Sequence, residues 1–405
     1  MGDLLRVRAY NVRFGDALLV SLPDRGLDGV SVKRHILIDV GNVLTGEGGA
    51  DIVFRPVLED ILDQLAGQPL DLYVMTHEHM DHIQGLPYAE RHLYPAAEDE
   101  LRLALKTRFA WLTASAEPSY YRTHPEAREK RLASIEAYRD IGAFLRASPD
   151  PAPQAVEAMM LNNDPRATSD CAAYLRGLAQ QTCYVHRGFD PTGNHPFQEA
   201  GFEIWAPEED TSAYYGTFRP MSLGVTRPQG RGAKPRLTAA RPPAGVDAGA
   251  FYNLVEQRSS FVDNLLAIDR AANNTSIVFC LQWRGWSLLF PGDAEIRSWK
   301  TMQRAGVFHP VHFLKISHHG SHNGTPDPEY LEGILPLDRP DDRLRSALVS
   351  TWEGTYHNVP DVPTLRLLHD PDSAADAPLR QRCDRLHQLH LEAQPGAYVD
   401  IEFEG

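Results

Sequence analysis

Two rhythms of hydrophobic and polar positions run along the chain. Short apolar or alternating runs predict strands at about 4–12, 16–22 and 34–40. Ile52, Val53, Val57, Leu58, Ile61, Leu62 and Leu65 then recur at helical spacing, which predicts a helix over 52–66 and a buried strand after it at 70–76. Residues 97–115 and 124–147 are rich in Ala, Leu, Arg and Glu with few breakers and read as helices, with a shorter one at 170–182. Phe202 to Pro207 reads as a strand. The runs Ile277 to Trp283 and Trp286 to Phe290, parted by Arg284-Gly285, predict a hairpin, and Val311 to Ser317 a further strand. Residues 216–250, with repeated Pro and Gly, are the most linker-like stretch.

Composition changes this picture in several respects. A chain of 405 residues, 42% hydrophobic and 23% charged, can bury a large core in one big domain or two. No run reaches the apolar length a bilayer requires, and the opening residues lack a signal-peptide core, so no membrane role is expected. Cys171, Cys183, Cys280 and Cys383 form neither a zinc-ribbon nor a disulfide pattern, which favours a reducing cytoplasm. The net charge of −14 argues against nonspecific coating of DNA. Against it, Arg219, Arg227, Arg231, Lys234, Arg236 and Arg241 stand in the linker-like stretch with no acidic residue before Asp247. Such a run either contacts phosphates, with Arg227, Arg231 and Arg236 foremost, or is a solvated loop.

The chemistry concentrates directly after the strand at 70–76. His77-Glu78-His79-Met80-Asp81-His82 puts three imidazoles and two carboxylates in six positions where a buried strand ends. Such ligands suit Zn²⁺, with Mn²⁺ or Fe²⁺ as substitutes. His77 and His79, two apart, can converge on one ion, and Asp81 and His82 can hold a second. The bland alternative is a loop of scattered surface histidines, which leaves the coincidence of residue types and spacing unexplained. Two later strands also end on ligand types: Pro291-Gly292-Asp293 closes the hairpin, and His318-His319-Gly320-Ser321 follows the strand at 311–317.

These segments resemble the HxHxDH motif and later ligands of the metallo-β-lactamase-fold hydrolases. The wording Asn273-x-x-Ser276, Gly292-Asp293 and Leu314-Lys315-x-x-His318-His319-Gly320-Ser321 is similar to the soluble metallo-β-lactamase domain of ComEC-type DNA-uptake proteins. Asn11-Val12-Arg13-Phe14-Gly15-Asp16-Ala17 resembles their D-V-G-x-G-D-[AS] opening, and Ile36 to Gly41 their L-I-D-x-G strand end. Ala347 to Ser350, followed by Tyr356-His357-Asn358-Val359-Pro360, is a looser echo of their last strand and His-Pro turn. The likeness covers residues 4–92 and about 270–370. It implies an α/β fold: an αββα sandwich of two ββα halves, residues 1–92 and 256–405, with a helical insertion at 93–255 between the metal loop and the hairpin. It implies two Zn²⁺ ions in the cleft, with Asp293 bridging. Many members place a third His on the first ion. Here that stretch reads Ala272-Asn273-Asn274-Thr275, as it commonly does in the ComEC-type branch, so Asn273 and Asn274 are expected behind the ligands.

A pair of divalent ions can hold a hydroxide and stabilise charge on a phosphoryl or acyl oxygen. Asp81 would orient that nucleophile, with His319, His322 and His357 as candidate proton donors. His318, first off the strand, is expected as the metal ligand of the pair, and Lys315 and Ser321 as substrate contacts. Asp39 either orients ligand histidines or caps the Gly41-Asn42 turn. The resemblance favours a phosphodiesterase or nuclease. A hydrolase of lactones, thioesters or β-lactams can use the same hydroxide. A third reading is an accessory protein of a DNA-processing or defence system that meets a protein partner through the helical insertion.

Overall fold

The structure, a computed structural model, describes residues 3–43, 50–93, 105–147, 152–218, 248–352, 354–370 and 381–405. Its first sheet is built from β1 (Leu4–Tyr10), β2 (Ala17–Arg25), β3 (Ser31–Val40), β4 (Leu70–Met75), β5 (Thr107–Thr113), β6 (Ala179–Val185) and β13 (Tyr398–Glu404). The second contains β7 (Ala200–Ala206), β8 (Val278–Trp283), β9 (Trp286–Phe290), β10 (Phe313–Lys315), β11 (Ser346–Val349) and β12 (Arg385–Gln388). The strand orders are β13-β1-β2-β3-β4-β5-β6 and β12-β11-β10-β9-β8-β7. Both sheets are mixed. In the first, β13 through β3 pair antiparallel and β3 through β6 parallel. In the second, β7 to β9 pair antiparallel and β9 to β12 parallel.

The inner faces of the two sheets meet in one apolar layer. Val7, Ile36, Val74 and Trp111 of the first sheet belong to the same buried cluster as Phe202, Phe279, Phe290 and Phe313 of the second. Helix α1 (Ala50–Leu65) covers the outer face of the first sheet with Phe54, Val57, Leu58 and Ile61 against Leu37, Tyr73 and Met75. Helix α6 (Ile296–Ala305) covers the second with Trp299 and Met302, beside the helix Pro328–Ile334. The layers are therefore helix, sheet, sheet, helix. An α/β sandwich of this kind covers both faces of its central strands, which is why β4 is buried at every position and apolar at all but Asp71.

The stretch 93–255 is only partly a helical insertion. Helix α2 (Pro125–Ala147) forms as expected, the shorter helix α4 (Pro165–Arg176) lies some five residues earlier than expected, and α3 (Gln154–Asn162) is an additional helix; α5 (Ala248–Asn273) packs Phe261, Leu265 and Ile268 on Ala137 and Ile141 of α2. The expected helix at 97–115 is corrected, since residues 107–113 are strand β5 and β5 pairs parallel with β4. Likewise residues 179–182 belong to β6, because α4 ends before Gly177. Buried on both faces, Ala110 to Thr113 carry no alternation to distinguish strand from helix. The basic positions Arg227, Arg231 and Arg236 lie outside the described residues. Among the described residues no helix is long and apolar enough to cross a membrane. All four cysteines are free and buried.

Candidate metal centre

The parallel strands of both sheets deliver their carboxyl ends to one edge of the sandwich, the usual place for ligands in open α/β sheets. β4 leads there into Thr76-His77, β9 into Asp293, and β10 into His318-His319. The loop after β4 turns through a single helical turn, Met80–Ile83. Two glycines let the N-terminal segments reach it. A Cβ on Gly41 would lie 2.3 Å from Asp81 C and His82 N, and one on Gly15 would lie 2.6 Å from Asp81 O. Asp16 N–H donates to Asp81 O at 3.1 Å.

Asp81, His82, Asp293 and His319 form a buried group, each no more than 1% exposed, with one ligand atom apiece within 4.8 Å of the others. His319 Nε2 lies 3.2 Å from both Asp81 Oδ2 and Asp293 Oδ2, and His82 Nε2 lies 3.2 Å from Asp293 Oδ2. Atoms bound to one zinc ion in tetrahedral geometry stand roughly 3.3 Å apart. Asp81 Oδ1, His82 Nε2, Asp293 Oδ1 and His319 Nε2 are nevertheless buried without a hydrogen-bond partner. Such orphans are costly unless something else satisfies them.

The outer nitrogen of each imidazole is held by an acceptor. His82 Nδ1 donates to Asp39 Oδ2 at 2.8 Å, and His319 Nδ1 to the Ser350 carbonyl at 3.0 Å. Thr76 Oγ1 donates to Asp39 Oδ2 at 2.6 Å and so accepts from His77 Nδ1 at 3.1 Å. His79 Nε2 donates to Asn163 Oδ1 at 2.9 Å. The tautomers that follow leave a lone pair on each inward nitrogen. His77 Nε2 and His79 Nδ1 then face one another at 3.0 Å, an arrangement that suits two ligands of one cation. These residues fit a bound metal ion.

Asp39 thus takes the orienting role rather than that of a turn cap. Asp39→Asn is expected to weaken metal affinity about 10- to 100-fold, the usual cost of losing such a support. Zinc competition against a chromogenic chelator measures this, and unchanged affinity would contradict the role.

Charge within the group is mutually adjusted. Burial opposes the charged form of His82 and His319, but Asp293 and Asp81 outweigh it, with Asp39 adding to His82. His82 is held well above the ordinary imidazole value, and His319 is pushed up to about 9. Burial would raise Asp293 and Asp81, yet the neighbouring imidazoles hold both below the usual carboxylate range. His77 is held well below the imidazole value by burial and by His82 and His79. With no ion bound, the stability from a raised His319 is fully present below its unfolded value of 6.5 and lost as pH rises through about 9. Metal-stripped protein should therefore melt at lower temperature above pH 9 than at 6.5, and zinc, which replaces those protons, should reverse the loss. A chelated sample whose melting temperature climbs across that window would contradict the assignment.

Several expected sites are placed differently. The ring that joins Asp81, His82 and Asp293 is that of His319, not His318. Both adopt left-handed backbone, φ 48° and 54°, so that the strand's continuation turns and the second ring, not the first, enters the group. His318 stands beside Asp269 and Glu295, its Nδ1 bonded to Ser321 Oγ at 2.8 Å. Ser321 therefore positions His318, though it also lines the cavity described below. His319 is accordingly no free proton donor, and His357 is exposed. His322 is 87% exposed at the cavity mouth, near Asp361. Lys315 is not a substrate contact: it is buried, paired with Asp16, its Nζ 3.7 Å from Asp293 Oδ1. Asn274 accepts from Ser298 N–H at 3.0 Å in the first turn of α6 and supports no ligand, whereas Asn273 reaches His318, Glu295 and Asp269.

Sequence reasoning missed Asp16, Asp269, Glu295, Asn162 and Asn163. Asp81 N–H donates to Asn162 Oδ1 at 3.0 Å, so the end of α3 sits on the metal loop and the helical segment caps the site. The buried Asp16 was signalled by the Gly15-Asp16 opening, and the others by nothing local. A cavity of about 360 Å³ opens over Asp81 and Asp293, walled by Phe14, Met159, Arg270 and Tyr356 among others. No protein-family model matches the chain, and neither does any curated protein.

Proposed function

We propose that the chain is a divalent-metal-dependent hydrolase of the metallo-β-lactamase fold, similar to the soluble domain of ComEC-type proteins, and that it cleaves phosphodiesters. The observation that carries the reading is the set of inward, lone-pair nitrogens of His77, His79, His82 and His319 around Asp81 and Asp293, all buried and each fixed from behind. Asp81, His82, Asp293 and His319 would hold one ion and His77 and His79 a second; when bound, these supply a Lewis acid and a water of lowered pKa.

The chain's own residues supply the rest. Asp81 Oδ1, buried and unpaired at the cavity floor, can accept a hydrogen bond from an attacking water and orient it. Phe14 and Tyr356, ring centroids 4.7 Å apart, give the cavity an aromatic wall on which a base or sugar can rest. Arg270 on the opposite helix presents a half-exposed guanidinium that suits phosphate oxygens. His322 at the mouth can donate a proton to a departing alkoxide. An aromatic wall with a facing cation favours a nucleotide ester over a lactone or thioester.

Zinc- or manganese-reconstituted protein should turn over bis(p-nitrophenyl) phosphate and at least one of single-stranded DNA, duplex DNA, RNA or cyclic nucleotides. Lactone and thioester panels run alongside. Carbonyl turnover without phosphodiester cleavage would replace the proposal.

A further inference from the structure

A second group of ligand-type side chains stands outside the buried quartet, on the wall of the same cavity. Asp269 and Asn273 lie one turn apart on the last turns of α5 and so share a face. Glu295 immediately precedes α6, and His318 sits on the left-handed bend after β10. One ligand atom each from Asp269, Glu295 and His318 falls within 4.8 Å of the other two. Glu295 is 2% exposed, and Asp269 and His318 line the cavity and so are reachable from solvent.

The amide of Asn273 occupies the middle of this group. Its Nδ2 lies 2.8 Å from Glu295 Oε1, 3.2 Å from His318 Nε2 and 3.3 Å from Asp269 Oδ2. Asn273 is 0% exposed, yet its Oδ1 has no hydrogen-bond partner. A half-turn of the amide exchanges the two atoms and brings the orphaned oxygen to within coordination spacing of two carboxylates and an imidazole. Neighbouring ligands on an octahedral ion at 2.1–2.2 Å stand about 3 Å apart and opposite ones about 4.3 Å, which spans the separations seen here.

We propose that Asp269, Asn273, Glu295 and His318 form a separate divalent-cation site. Three oxygen donors and one imidazole, with the remaining positions open to water from the cavity, suit a six-coordinate ion of the Mn²⁺ class better than tetrahedral zinc. Asn163 supports it by donating Nδ2 to Asp269 Oδ1 at 2.8 Å, and the same Asn163 holds His79 through its oxygen. The two sites are thus linked by one amide. On the reading of the protein as a phosphodiester hydrolase, an ion here adds positive charge to the cavity wall beside Arg270, where a substrate phosphate would lie. The binding site itself does not depend on that reading.

Mn²⁺ titration of the full chain, with free Mn²⁺ counted by electron paramagnetic resonance, tests the site. Glu295→Gln and Asp269→Asn should each weaken one Mn²⁺ equivalent at least tenfold while the remaining equivalents persist. Asp293→Asn should show the converse, keeping this equivalent and losing ions from the buried group. An unchanged isotherm in Glu295→Gln, or loss of every equivalent in Asp293→Asn, would overturn a separate site. Should these variants misfold by circular dichroism, anomalous diffraction at the manganese edge from the unaltered protein decides. A peak among the four side chains supports the site, and its absence at saturating Mn²⁺ rejects it. Retained Mn²⁺ without phosphodiester turnover would count against the proposed function alone.

Discussion

Asp293→Asn is expected to strip the buried centre of metal and to lower phosphodiester turnover by about three orders of magnitude, the scale of several kcal/mol of lost charge stabilisation. Asp293 stands at the meeting point of the group, within 3.2 Å of both His82 Nε2 and His319 Nε2. Its backbone is held independently of its charge, since Asp293 N–H donates to Ser276 Oγ at 3.0 Å. The Asn variant keeps that bond and the side-chain shape, so the loss reports on charge at the ligand position. His319→Ala should match it in metal content, whereas His318→Ala should leave the buried zinc in place. Equal zinc loss in both histidine variants would contradict the placement of His319. Full activity in Asp293→Asn would contradict the mechanism.

Lys315→Met should destabilise the metal-free fold by roughly 3–5 kcal/mol, the usual cost of leaving one partner of a buried ion pair alone. Lys315 and Asp16 are 1% and 2% exposed in their side chains, and Asp16 also receives the Ser350 hydroxyl. Burial disfavours the ammonium, but Asp16 and Asp293 more than offset it and raise Lys315 above its ordinary value. Removing the ammonium leaves the buried Asp16 carboxylate without its close cation, with the Ser350 hydroxyl as its remaining short side-chain contact and His82 and His319 farther off, at 3.9 and 3.8 Å. Asp16→Asn with Lys315→Met should recover much of the loss, because no unpaired charge remains. Urea unfolding of the chelated proteins measures both, and a single-variant cost below about 1 kcal/mol would refute the pair's structural role.

The features legible in the sequence were those set by local pattern. Apolar runs bounded by turn residues marked β1 to β4 and the β8–β9 hairpin. The spacing of His77, His79, Asp81 and His82 after such a run marked the site, and Gly292-Asp293 marked a ligand at a strand end. What failed to show depended on contacts distant in sequence. β5 is a parallel strand inside its sheet, and Ala110 to Thr113 are all buried, so that stretch lacked the alternation that separates strand from helix; β6 is the edge strand that pairs with it. The choice between His318 and His319 turns on two left-handed residues in succession, which no pattern of residue types encodes. Lys315 looked like a substrate contact because its partner Asp16 lies far off in the sequence, in the loop just before β2. Asp269, Glu295 and Asn163 reach the site only through the packing of α5, α6 and the residues after α3.

Counting zinc in the 405-residue chain, reconstituted and then desalted, is the most direct test of a buried metal centre. The unaltered protein should retain tightly bound zinc that Asp81→Ala and Asp293→Asn both lose, with anomalous density between Asp81, His82, Asp293 and His319. Protein that keeps no zinc at neutral pH, or keeps it equally in those variants, would contradict the account.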